Sequence, residues 1–143
     1  MSILDIKQQS QKWQNVKIIL VYLAVSIFCI IVDKIYATFG HGVTSNAMTW
    51  MFLYPLIGGI LFFLLRGNAI NRISKHKGYR SFCNIFNSGI AILTVGSFLK
   101  GVMDIAGTSS KYVIFYYLSG VVCIICSLVL RMIQKYSKSN VVA

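Results

Sequence analysis

Four long apolar runs, separated by polar stretches, set the pattern of the chain. They are VKIILVYLAVSIFCIIV (16–32), AMTWMFLYPLIGGILFFLL (47–65), SFCNIFNSGIAILTVGSFLKGVMDIAG (81–107) and YVIFYYLSGVVCIICSLVL (112–130). None alternates apolar with polar residues, so none reads as a half-buried strand. Each is long enough to cross a hydrocarbon core of about 30 Å, which takes roughly 20 helical residues. A helix also satisfies its own backbone within one segment, which lipid demands. The pattern predicts an all-α fold, a polytopic membrane protein with four transmembrane helices in an antiparallel bundle. The helices are expected at about 16–39, 47–66, 81–106 and 111–132. Loop 67–80 falls on one side, and two short loops, about 40–46 and 107–110, fall on the other. Residues 1–143 make a single transmembrane domain.

Composition agrees with this pattern. The chain is 57% hydrophobic and 12% charged, with a mean hydropathy of +0.72. Soluble domains hold about 45–50% apolar and about 25% charged residues. There is no glutamate, and the aspartates are Asp5, Asp33 and Asp104. Fourteen Lys and Arg bring the net charge to +11. Such a charge raises nucleic acid as a partner, but its placement argues for topology instead. All basic residues except Lys34, Lys100 and Lys111 fall in the N-terminal tail, the middle loop and the C-terminal tail. The positive-inside rule then puts both termini and the middle loop in the cytoplasm. A secondary effect is attraction to a lipid bilayer with anionic head groups. No basic folded face with stacking aromatics is visible, so no nucleic-acid partner is expected.

The first run is too long for a cleaved signal, and no A-x-A site follows it, so it should remain as an anchor. Ahead of it, MSILDIKQQSQKW carries Ser2 and Asp5 at capping-box spacing. A short helix on the inner membrane surface and a frayed tail both fit that stretch. Two hairpins, 17–66 and 81–131, place Lys34 against Lys100, Gly40 against Gly107 and Arg66 against Arg131 at similar spacing. Duplication and composition bias both explain that echo.

Candidate chemistry falls into four groups. The first is the outer face, where Asp33, Lys34, His41, Lys100 and Asp104 converge. An isolated carboxylate at the membrane boundary is costly. Pairing of Asp33 with Lys100, or of Asp104 with Lys34, is the expected relief, with an outer ligand site as the alternative. The second is a stripe on the third helix. Asn84, Asn87, Thr94 and Ser97 recur at helical spacing with Ala91, Gly101 and Asp104. Amides are costly in lipid, so this face should look into the bundle, as a packing interface or as a polar path. The third is Pro55, which removes a helical hydrogen bond and should bend the second helix. The fourth is Cys123 and Cys126, at the C-x-x-C spacing of thiol oxidoreductases. They lie past the membrane midpoint, toward the reducing side, and no outer-loop cysteine serves as a partner. Small apolar packing residues are the simpler reading.

His41 and His76 stand on opposite sides, so neither a haem pair nor a metal site assembles, and no cofactor is expected. Catalytic serine sets, paired carboxylates and phosphate-binding glycine motifs are absent as well, so an enzyme is not expected.

The segments IYATFGHGVTSNAMTWMFLYPLIGG and GSFLKGVMDIAGTSSKY resemble uncharacterised small four-span integral membrane proteins of Gram-positive bacteria. The resemblance implies the bacterial cytoplasmic membrane and no particular activity. The sequence therefore points to a small integral membrane protein acting through helix–helix association. It would work as a homo-oligomer or as an accessory subunit alongside other membrane protein subunits. A small-solute transporter or channel built on the polar face of helix three is the alternative. A membrane thiol oxidoreductase using Cys123 and Cys126 is the second.

Overall fold

The computed structural model describes residues 3–40, 42–67 and 77–139. These residues are almost wholly helical, with no strand among them. The elements are α1 (Ile3–Phe39), α2 (Asn46–Thr49), α3 (Leu53–Gly67), α4 (Lys77–Ile105) and α5 (Val113–Ser139). Four stretches are long and apolar enough to cross a membrane: Val16–Phe39, Asn46–Leu64, Ser81–Ile105 and Val113–Ile133. The N-terminal tail from Ile3 is a direct continuation of α1, and α5 runs past the expected end at 132 to Ser139.

Helix ends follow from local chemistry. α4 stops just before Gly107, whose φ of 67° suits a residue without a Cβ. Thr108 then donates its N–H back to Met103 O at 3.0 Å, closing the last turn. α1 ends in a similar way, with the Gly42 N–H donating to Ala37 O at 3.0 Å.

The second span is broken between α2 and α3. Pro55 has no N–H for the carbonyl of Met51 and its ring crowds that carbonyl. Met51 O instead accepts from Tyr54 N at 3.3 Å, and Leu53 N donates to Trp50 O at 3.1 Å. These tighter bonds end α2 and restart the helix at Leu53. Pro55 thus sits in the first turn of α3, where a missing donor is least costly. The expected bend takes the form of a break three to five residues before the proline, at Trp50–Phe52.

Helix packing rests on glycines. A Cβ on Gly89 would stand 2.8 Å from Ile124 Cγ1 and 3.0 Å from Gly120 O, and one on Gly96 would stand 2.8 Å from Tyr116 Cβ. α4 and α5 therefore approach very closely, with opposite chain directions. Gly58 receives Ile90 of α4, and Gly59 receives Tyr22 of α1, so α3 lies between α1 and α4. Gly101 of α4 lies under Met48 of α2. Small residues give helices this approach in lipid, where burial of apolar surface adds no drive of its own. At the end carrying most basic residues, Phe62, Phe82 and Phe86 form a buried aromatic cluster. The Arg131 guanidinium carbon stands 5.5 Å above the centre of the Phe82 ring.

The third span is the most enclosed, with 39% of its most apolar window buried against 17% for the first and fourth. That order matches the sequence, because the two outer spans are apolar all round and the third carries the polar residues.

Candidate functional site

α1 and α4 both rest on α3, yet their backbones do not meet. Between them lies a cleft of about 980 Å³. Its floor comes from α3 and the residues just before it, through Met51, Pro55 and Phe62. Val21, Val25 and Phe28 form one wall, and Ala91 and Val95 of α4 stand on the other. These wall residues are exposed in the chain, so the cleft is open along its side.

Two side-chain contacts bridge the cleft. The Tyr22 hydroxyl donates to Asn87 Oδ1. Further along, Tyr36 and Phe98 meet edge to face with ring centres 5.6 Å apart. Residue numbers rise together on both helices, so α1 and α4 run in the same direction along the cleft. The walls carry little polarity. Thr94 spends its hydroxyl on Ile90 O at 2.8 Å, a bond to its own helix. Lys17, at the basic end, is the one charged residue of the lining among the described residues.

The four residues of the predicted polar face do not share one environment. Asn84 is exposed, Asn87 borders the cleft, Thr94 is half-buried and Ser97 is buried. Ser97 Oγ donates to Ala47 O at 2.6 Å, away from the cleft. Their spacing explains the scatter: at about 100° per residue the stripe swings by roughly 160° between Asn84 and Asp104.

At the far end the acids are paired differently from expectation. Asp104 is bound by Lys100 of its own helix at 2.6 Å, and its second oxygen accepts from Ser45 Oγ at 2.7 Å. It is not paired with Lys34, which is exposed. Asp33 is buried at 8% exposure. It accepts from Thr49 Oγ1 at 3.3 Å and is not paired with Lys100. The reason is reach: Lys100 and Asp104 are one turn apart on α4, so the intrahelical pair forms first. Ser45 precedes α2 and Thr49 ends it, so α2 is fastened to α4 through Asp104 and to α1 through Asp33. His41 lies outside the described residues.

No disulfide joins Cys29, Cys83, Cys123 or Cys126. Cys123 sits about three turns into α5, far from the helix N-terminus that would favour a thiolate. Among the described residues no three His, Cys, Asp or Glu side chains gather as a metal site would require.

Tyr22, Tyr36 and Phe98, which set the width of the cleft, and Ser45 and Thr49, which fasten α2, were not singled out by the sequence reading. The α1 wall gives no periodic signal, because α1 is apolar on every side. The Lys100–Asp104 spacing was the one readable sign. The chain matches no known protein family, and no curated protein or solved structure resembles it at a significant level.

Proposed function

We propose that the chain is a small multi-pass protein of a bacterial cytoplasmic membrane that works by holding an apolar partner within the bilayer. Its four spans form an antiparallel bundle with both termini in the cytoplasm, an orientation supported by the crowding of basic residues at one end. The observation that carries the reading is the cleft, where α1 and α4 are kept apart and present Val25 and Val95 to the membrane. The glycines suited to close helix contact are already engaged within the chain. Association with another subunit, a second copy or a lipid therefore falls to the cleft.

A solute pathway is the less favoured reading. Its polar residues diverge around α4, and the cleft holds one charged side chain among the described residues. Channel and transporter lumens rely on convergent polar or ionisable groups.

Native mass spectrometry after gentle extraction tests the proposal. The wild type should retain a bound component, and Ala91→Trp and Val25→Trp, which fill the cleft, should lose it while keeping their helical content and melting behaviour. A wild type that emerges as a bare monomer would overturn the reading.

A further inference from the structure

We infer that the cleft holds one anionic glycerophospholipid, drawn from the leaflet at the basic end of the molecule. This rests on the reading of the cleft as a binding surface, and it names the occupant.

Volume excludes a whole helix as the enclosed partner. A helix of 20 residues is about 30 Å long and about 10 Å across, on the order of 2,400 Å³. The cleft offers about 980 Å³, at the upper end of the roughly 300–1,000 Å³ usual for small-molecule sites. Chain length agrees. Tyr22 and Tyr36 are separated by about 21 Å along α1, enough for an extended acyl chain, which needs somewhat more than the ~15 Å of one leaflet. The Tyr36–Phe98 contact then closes the far end.

Polar groups are placed where a head group would need them. Lys17 is the only charged residue of the lining among the described residues, and it lies at the basic end. A cation at a gap between membrane helices is suited to a phosphate. Tyr22 and Asn87 come about a turn and a half deeper. Asn87 takes the Tyr22 hydroxyl on Oδ1, which leaves the two N–H donors of its amide. They face the level at which a glycerolipid carries its ester carbonyls. Phosphate, esters and chains thus meet a cation, an amide and apolar walls in that order.

The test uses the full chain in nanodiscs of equal parts phosphatidylglycerol and phosphatidylcholine with identical acyl chains. After mild extraction, the lipid that remains bound is identified by native mass spectrometry. Phosphatidylglycerol should exceed phosphatidylcholine about fivefold, the ratio one basic residue gives near an anionic head group. Lys17→Gln should bring the ratio to unity, Lys17→Arg should preserve it, and Lys111→Gln, distant from the cleft, should not alter it. Equal retention of both lipids by the wild type, or a ratio unmoved by Lys17→Gln, would overturn the inference. A second protein copy in place of lipid would also overturn it, while leaving the cleft as a binding surface. Neither lipid nor protein would overturn both readings.

Discussion

α4 has two long flanks, and they are built in opposite ways. Toward α5 it offers Gly89 and Gly96, and the neighbouring helix settles against them with Ile124, Gly120 and Tyr116. Toward α1 it offers Asn87, Ala91, Thr94 and Val95, and the facing helix stays away. Both flanks are small in side chain, yet only one becomes a contact. Glycine lets a bulky neighbour reach the backbone, and the short link 106–112 holds α5 in place to do so. On the other flank, Val25 and Phe28 of α1 meet alanine and valine across the cleft. α1 is held at a fixed distance by α3 behind it and by the Tyr22 and Tyr36 bridges across it. Small residues are therefore a licence for close packing, and the connectivity decides whether the licence is used.

The largest expected effect tests that contrast directly. Gly89→Val puts its branched carbon within about 3 Å of Ile124 and of the Gly120 carbonyl. Overpacking of this kind costs about 1–3 kcal/mol, or more where backbone is struck. Ala91→Val, on the other flank, projects into the cleft and should be near neutral. Unfolding in mixed micelles followed by circular dichroism separates the two. Equal destabilisation would show that both flanks of α4 are packed, and the contrast would fall.

A smaller effect separates the two acids at the far end. Asp33 is buried and meets the Thr49 hydroxyl alone among its described partners. Asp33→Asn removes a charge that has no cation paired with it among the described residues and keeps an oxygen for Thr49. It should leave the melting temperature unchanged or raise it. Asp104→Asn gives up the Lys100 pair, so it should lower the melting temperature slightly and weaken its dependence on salt. The opposite ranking would mean that Asp33 carries the fastening of α2 and Asp104 does not.

The spans were legible because a run of some 20 apolar residues has few alternatives in water or lipid. Their ends were legible too, since Gly42 and Gly107 adopt the left-handed backbone expected of a turn. The cleft was not. Hydropathy records that α1 is apolar and does not record which of its faces has a neighbour. The break at Trp50–Phe52 was hidden for the same reason, because its residues are as apolar as those beside them. Pro55 gave warning of it, and the step lay upstream, where the carbonyl it cannot serve belongs to Met51. For Asp104, a cation one turn along α4 wins over a cation across the bundle. The polar stripe scatters because its small intervals add up to a large rotation around α4.

The smallest expected effect belongs to the bridge itself. Tyr22→Phe keeps the ring against Gly59 and Phe62 and deletes only the hydroxyl that Asn87 accepts. Side-chain hydrogen bonds between membrane helices contribute about 0.6 kcal/mol on average. The melting curve should therefore move little. The width of the cleft should respond more. Tyr36 and Phe98 still tie α1 to α4 at the far end, so the loss frees the basic end alone. Spin labels placed at Val21 and Ala91 should report a broader distance distribution in Tyr22→Phe. Labels at Ile35 and Val102, beside the second bridge, should report an unchanged one. Broadening at both pairs would mean that the two bridges act as one unit. No broadening at either would mean that α3 alone holds the walls apart, and the cleft would then be a property of the scaffold and independent of its polar contacts.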